Sequence, residues 1–281
     1  MLTLTLRDST PAAADSVGTT LPIEVDALLP ETLRELSLAE IERQLIWHGK
    51  QQVPVAELFD VRGNAADEQL EFVGNLTHVH HLGSGQSSGV ISVVGSAGRH
   101  VGAGMRGGEL IVERDVSDWL GTEMTGGYIR VHGSAGHNVG GAYRGSARGM
   151  RGGTILVDGN VGHECGQRMR RGFVAVGGSC GDLPAAYMLA GTVVICGNCG
   201  LRPGAAMRRG TLALLGNERP TLLPTFQAGS VTTPVFMRLY FRELAQRRFA
   251  PQRELDALTT FDSFHGDLLA LGRGEILCPH C

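Results

Sequence analysis

A period of nineteen residues is the feature that most limits what this chain can fold into. Segments starting at Gly89, Gly108, Gly127, Gly153, Gly172, Gly191 and Gly210 align one under another, 19 residues apart except for one step of 26, from 127 to 153. A looser member starts at Leu70. Two residues into each segment stand Ile91, Leu110, Ile129, Ile155, Val174, Val193 and Leu212. Four residues in stand Val93, Val112, Val131, Val157, Val176, Ile195 and Leu214. All are aliphatic, while the residues between them are mixed: Ser92, Ile111, Arg130, Leu156, Ala175, Val194 and Ala213. Such alternation reads as a strand with one face always buried. Three residues before a start comes a methionine, at Met105, Met124, Met150, Met169, Met188 and Met207. One residue type at one rung is what stacked repeats produce, and methionine is flexible enough to fill an irregular interior.

Glycine marks the corners. The pattern G-x-x-G-x-x-x-G reads Gly95, Gly98, Gly102; Gly133, Gly136, Gly140; Gly159, Gly162, Gly166; and Gly197, Gly200, Gly204. The repeat from Gly172 ends the pattern in Ala185, and the repeat from Gly108 keeps only Gly121. Residues 89–216 hold 31 of the 41 glycines, without a G-X-Y period, so collagen is excluded. Nineteen residues is too short for a helical-hairpin repeat of about 34 or a propeller blade of about 40. The leucine signature of leucine-rich repeats is missing. The pattern predicts a mainly β chain, a right-handed parallel β-helix of about 19 residues per coil, its hand set by the crossover rule. Eight coils spaced about 4.8 Å apart would make a rod about 38 Å long.

The flanks differ. Glu31 to Ile46 reads as helical (Leu33, Leu36, Ile41, Leu45), with Pro30 before it and Gly49 after it. Residues 234–249 carry Val235, Leu239, Leu244 and Phe249 among Arg238, Arg242, Arg247 and Arg248. Open solenoid ends need covering, so these segments are predicted as helical N- and C-terminal caps. The expected organisation is a capping segment over 1–68, the β-helix over 69–218, and a helical cap and tail over 219–281.

Composition narrows the function classes. A net charge of −3 argues against general nucleic-acid binding. No run of 18 apolar residues exists, so no membrane-spanning helix is expected. Met1–Leu6 lacks a basic region before an apolar core, so no Sec signal is predicted. Six cysteines in 281 residues is not a disulfide-framework density, and a cytoplasmic location with reduced thiols is expected. The basic residues are 24 arginines and one lysine, Lys50, a skew that points to a GC-rich bacterial genome.

Motifs with catalytic associations do not hold up in context. Gly102-Ala103-Gly104-Met105-Arg106-Gly107 matches G-x-G-x-x-G, but it follows a glycine corner and leads into a strand, where a dinucleotide fold needs a strand before it and a helix after it. Cys196/Cys199 and Cys278/Cys281 form two C-x-x-C pairs whose separation of 78 residues exceeds zinc-ribbon spacing. His78, His80 and His81 cluster, and His100, His137 and His163 recur, with His137 and His163 both ten residues into their repeats. No carboxylate set completes a metal site around them. Asp158 and Asp182 do not form the aspartate series of a calcium-binding β-roll. No catalytic and no metal residues are predicted.

The repeats resemble the C-terminal domain of the large glutamate synthase subunit. More closely, and over roughly residues 20–277, the chain resembles the C subunit of formylmethanofuran dehydrogenase. The flanks carry that second likeness: Leu21-Pro22-Ile23-Glu24-Val25-Asp26, Trp47-His48-Gly49, Leu58-Phe59-Asp60-Val61, and Gly272-Arg273-Gly274-Glu275-Ile276. The Cys278–Cys281 tail and the glycine-poor repeat from Gly108 depart from the pattern. The resemblance implies a component of a complex. One form is a tungsten or molybdenum enzyme that reduces carbon dioxide onto methanofuran. The other is a bacterial formyltransferase/hydrolase complex, which moves a formyl group from tetrahydromethanopterin to a methanofuran analogue and hydrolyses it to formate. The arginine skew favours the second. Catalysis then belongs to amidohydrolase-like, formyltransferase and molybdopterin-subunit-like partners. This chain would bind no cofactor of its own, and the complex would handle the methanofuran analogue. A free-standing glutamate-synthase-like binding module is the competing class.

The 26-residue repeat places its surplus in Gly140–Gly149, which carries Arg144 and Arg148. Arg151 and the rung Arg106, Arg170 and Arg208 stand two residues before their starts. The expectation is a positive strip that contacts a partner or the glutamate-bearing tail the resemblance implies, with Arg144, Arg148 and Arg151 as the candidate residues.

Overall fold

The computed structural model describes residues 1–7, 21–249, 255 and 258–280. Its elements are, in chain order, β1 (Leu2–Leu6), β2 (Ile23–Glu24), α1 (Pro30–Leu33), α2 (Leu38–Glu42), β3 (Leu45–His48), β4 (Gln51–Pro54), α3 (Val55–Leu58), β5 (Phe59–Gly63), β6 (Gln69–Val73) and β7 (Val79–His80). The repeats supply β8 (Val90–Val94), β9 (Glu109–Val112), β10 (Tyr128–Val131), β11 (Arg151–Val157), β12 (Arg171–Val176), β13 (Thr192–Ile195) and β14 (Arg209–Leu214). The chain closes with β15 (Gln227–Thr232), α4 (Val235–Gln246), β16 (Phe261–Gly266) and β17 (Arg273–Pro279).

The molecule is mainly β. Thirteen strands form one mostly parallel sheet, ordered β15-β16-β17-β14-β13-β12-β11-β10-β9-β8-β6-β1-β5, open at both edges. Register follows the sequence period. Leu70, Ile91, Leu110, Ile129, Ile155, Val174, Val193 and Leu212 pair in one column, extended by Leu2 at one end and Ile276 at the other. All ten are at most 1% exposed. A second parallel ladder runs Leu76, Ala97, Val116, Ala135, Val161, Cys180, Cys199 along another side of the repeats. Between the ladders lies the methionine rung, with all six members fully buried. In the repeat before Met105 the same rung holds Gln86, also fully buried, whose amide nitrogen donates to the carbonyls of Ser88, Gly89 and Glu109.

The glycines serve two separate needs. Gly172 has φ +104, a conformation that a side chain resists. Gly162 is needed for contact: a Cβ there would sit 2.9 Å from the carbonyl carbon of Gly136 in the preceding repeat.

The flanks depart from the expected helical caps. The segment predicted as one helix over Glu31–Ile46 is two short helices, α1 and α2, followed by the start of strand β3. Ser37 separates them and bonds Glu40 from its backbone and hydroxyl, an N-cap that starts α2 afresh. Strands cover the sheet edges. β1 adds in parallel and β5 antiparallel at one edge; β17 adds in parallel, then β16 and β15 antiparallel, at the other. The second side is continued at the N-terminal end by a four-stranded sheet, β4-β3-β2-β7.

Helix α4 is present where predicted, but it lies along the outer face of the large sheet. Its buried Met237, Phe241 and Leu244 pack with Leu156, Ala175, Val194, Ala213 and Leu277 in a second core. This resolves the mixed row of the sequence. Its outward residues Leu156, Ala175, Val194 and Ala213 are fully buried where α4 covers them, while Ser92 and Ile111, in repeats outside the cover, are only partly buried. Arg130 stands at the margin of the cover. It is 5% exposed, pairs with Asp158, and donates to the Arg247 carbonyl at the end of α4.

Candidate functional site

Corners between strands set out three columns of polar and aromatic side chains. In the first, each side chain accepts the backbone N–H of its counterpart in the next repeat. His80 Nδ1 accepts from Arg99 at 2.9 Å, Asp118 from His137 at 2.8 Å, His137 Nδ1 from His163 at 2.9 Å, His163 Nδ1 from Asp182 at 2.8 Å, and Asp182 from Leu201 at 2.7 Å. A neighbouring column does the same through Asp115, Ser134, Asn160 and Ser179. These bonds satisfy corner N–H groups that the short ladders leave over.

The arrangement decides what the histidines can do. His137 and His163, at one position of their repeats, stack with ring centroids 4.9 Å apart. With Nδ1 used as an acceptor, a neutral ring carries its proton on Nε2. Neither nitrogen then offers a lone pair to a metal. Burial, helped by the nearby positive charge of Arg99, pushes the His80 imidazole down to about 4. Burial also lowers His78 and His100. Among the described residues no three His, Cys, Asp or Glu side chains group as a metal site.

The third column is aromatic. His81, His100 and Trp119 occupy the same corner of successive repeats, all left-handed, with φ of 63, 62 and 69. His81 and His100 stack at 4.6 Å, and His100 and Trp119 at 6.4 Å. The surplus segment of the long repeat docks here. The Tyr143 ring packs 5.4 Å from Trp119, and its hydroxyl hydrogen-bonds His100 Nδ1 at 2.9 Å. The loop is therefore anchored at Tyr143 and rejoins the repeat where the Gly149 N–H donates to the Arg168 carbonyl.

Three thiols, Cys180, Cys199 and Cys278, are held in their neutral form. None of the five described cysteines is in a disulfide. Burial raises Cys199 and Cys278 to about 11, and Cys180 is raised well above the ordinary thiol, first by its hydrogen bond with Cys165 and then by burial. Nucleophilic or redox chemistry needs the thiolate, which these surroundings oppose. Cys281, the other half of the terminal C-x-x-C, lies outside the described residues.

The predicted arginines are all exposed: Arg144 and Arg148 on the anchored loop, Arg151 at the head of β11, and Arg106, Arg170 and Arg208 on the rung. Sequence reasoning missed two that extend the set, Arg171 and Arg209, at the heads of β12 and β14. Their signal was a second arginine directly after the rung position, in Arg170-Arg171 and Arg208-Arg209.

No family model matches the chain. Sequence relatives include the C subunit of the molybdenum-containing formylmethanofuran dehydrogenase 1 of Methanosarcina barkeri, 34% identical over 83 residues, 28% of this chain and 28% of that protein. The C subunit of the tungsten-containing formylmethanofuran dehydrogenase 2 of Methanococcus maripaludis is 35% identical over 81 residues, 28% of this chain and 30% of that protein. The matched stretch thus spans under a third of these curated relatives. A solved structure gives a full-length match. A chain of the formyltransferase/hydrolase complex of Methylorubrum extorquens, crystallised with methylofuran, superposes with a TM-score of 0.88 at 33% identity, over 99% of this chain and 100% of that one. This end-to-end superposition at 33% identity gives the assignment: the chain belongs to the same family as that chain of the formyltransferase/hydrolase complex, and a stretch of it is similar to the C subunits of formylmethanofuran dehydrogenase.

Proposed function

We propose that this chain is a non-catalytic, structural subunit of a formyltransferase/hydrolase complex of one-carbon metabolism. In this reading the complex transfers a formyl group from tetrahydromethanopterin to a methanofuran analogue and hydrolyses it to formate. The observation that carries the reading is the match along 99% of the chain to a component of such a complex. The partners are an amidohydrolase-like, a formyltransferase and a molybdopterin-subunit-like chain. A non-catalytic role is supported by the chemistry of the side chains. The methionine rung and the aliphatic columns fill the interior, where the buried Gln86 spends its amide nitrogen on backbone carbonyls; His137 and His163 spend Nδ1 on backbone N–H groups, and burial keeps the Cys199 and Cys278 thiols protonated.

The fold we read behind this role is a right-handed parallel β-helix over residues 69–218, closed by 1–68 and 219–281. Two parallel ladders with one period and the right-handed crossover rule support it. A cytoplasmic setting is consistent with the described helices, none of which is long and apolar enough to cross a membrane. Arg144, Arg148 and Arg151 are proposed to contact a partner protein or the acidic tail of the methanofuran analogue. The experiment is affinity purification of the tagged chain from its own cell, together with an assay of the chain alone. Stoichiometric recovery of the partners, with no formyl hydrolysis by the isolated chain, is expected. Hydrolysis by the chain freed of partners would refute the structural role.

A second reading, the C subunit of a molybdenum or tungsten formylmethanofuran dehydrogenase, is favoured by the sequence matches. Stoichiometric molybdenum or tungsten in the purified complex would select it.

A further inference from the structure

The arginines at the strand heads form an interrupted line. Arg151 pairs in register with Arg171, and Arg209 with Arg273. Arg170 and Arg208 stand one residue earlier, and all six are exposed. None of them makes an ion pair among the described residues. The repeat between Arg171 and Arg209 has Leu189 and Ala190 at these positions, and the line breaks there. The break is a depression of about 350 Å³, floored by Leu189 and Ala190 and walled by Arg170, Arg171 and Arg209. Its remaining side is Tyr240, brought in by α4.

Tyr240 is held in place. Its ring stacks on Phe173 with centroids 4.4 Å apart. Its hydroxyl oxygen accepts a hydrogen bond from Thr192 at 3.1 Å. An oxygen that accepts from Thr192 still has its own proton to donate. The depression is thus lined by guanidinium groups and one oriented hydroxyl, with no carboxylate among its lining residues.

We infer that this notch, flanked by the arginine line, binds an extended chain of successive carboxylates. The inference deepens the proposed contact with an acidic partner or tail and rests on that reading. Guanidinium groups grip carboxylates in a two-pronged, planar way. Repeats stack at about 4.8 Å, so the line from Arg151 to Arg273 runs for about 19 Å, longer than one small anion can bridge. An extended acidic chain places same-side carboxylates about 7 Å apart and meets successive arginines along that length. One carboxylate would enter the notch between Arg171 and Arg209 and accept the Tyr240 proton, and its neighbours would lie on the flanking guanidiniums. A nucleic acid strand fits less well, because Tyr240 is the single ring lining the notch and a base-stacking platform needs several.

The test uses the full-length purified chain and a fluorescein-labelled octaglutamate peptide, read by anisotropy at low salt, where such contacts are least screened. Circular dichroism checks that each variant is folded. Wild-type chain should bind, and Arg171→Glu with Arg209→Glu should weaken binding at least tenfold. Tyr240→Phe keeps the stacked ring and loses the hydroxyl, and should weaken it about fivefold. Arg171→Lys with Arg209→Lys keeps the charge and should still lose several-fold; these two milder changes carry the test if the reversal unfolds the chain. Arg62→Glu, on the distant edge strand β5, should change nothing. Wild-type affinity in the notch variants overturns the notch. If Arg144→Glu with Arg148→Glu then abolishes binding, the notch is wrong and the broader reading stands; if neither set matters, both fall. A single-stranded oligonucleotide of equal charge that binds tighter than octaglutamate overturns the assignment to carboxylates.

Discussion

Replacing Arg130 by methionine should loosen α4 from the sheet it covers. The guanidinium donates from Nε and Nη2 to Asp158, at 3.1 and 2.9 Å, and from Nη1 to the Arg247 carbonyl at 3.1 Å. It also lies 5.4 Å over the Phe249 ring. The side chains of Arg130 and Asp158 are 6% and 14% exposed, so both groups have left most of their water. Removing one partner of a buried pair costs about 3–5 kcal/mol, because the other charge remains uncompensated. Asp158 keeps one contact, with His132 at 2.9 Å, so the low end applies, about 3 kcal/mol. For a chain of this size that lowers the melting temperature by about 6–12 °C. A second change, Asp158→Leu, should recover most of the loss, since an apolar pair replaces a buried ion pair at little cost. Urea unfolding gives the energies, and hydrogen exchange localises them: α4 amides should lose protection while β12 and β13 keep theirs. A single variant within about 0.5 kcal/mol of wild type, the range of ordinary surface substitutions, would refute the clamp.

Met169→Ala should cost about 2–4 kcal/mol by opening a cavity in the methionine rung, and Met169→Asp should abolish folding, both read by circular dichroism; near-native stability of the aspartate variant would contradict the buried rung. Folded His80 takes up its proton only near pH 4, against 6.5 for the ordinary imidazole, so between those values the unfolded chain binds more protons. Its contribution to stability is thus complete above pH 6.5 and is lost as pH falls toward 4, by about 1 kcal/mol after allowance for its half-exposed position. His80→Asn, which keeps an acceptor for the Arg99 N–H, should flatten that part of the acid slope; an unchanged slope would contradict it. Gly162→Ala puts a Cβ 2.4 Å from His137 Nδ1 and should cost about 1–3 kcal/mol in urea unfolding, with no loss if the repeats can separate to admit it.

The parallel sheet was legible because its cause is local and repeated. Each strand places one aliphatic pair inward, and six methionines one rung away define the interior. The cover of α4 was only faintly written in the sequence: Leu156, Ala175, Val194 and Ala213 are apolar beneath it, but so is Ile111 outside it, and the row has meaning only once another element is known to lie on it. The edge strands were hidden because β1, β5, β16 and β17 stand outside the period, and an apolar stretch such as Leu33–Leu45 fits a helix until Ser37 is seen to cap a new start. The histidines recurred by position, yet their use as acceptors for the next repeat's N–H depends on corner geometry that spacing does not contain. The notch was hidden for a related reason: Tyr240 reaches it from a helix 48 residues beyond Thr192, the residue that orients its hydroxyl.

The role proposed for this chain is that of a built-in component of a formyl-transferring and formyl-hydrolysing assembly. Native mass spectrometry of the assembly, purified through a tag on this chain from its own cell, tests that role. The expected result is one stoichiometric complex that contains this chain with amidohydrolase-like and formyltransferase subunits and yields formate from formyl-tetrahydromethanopterin. Recovery of the chain alone, as a monomer or self-assembly without those subunits, would contradict it.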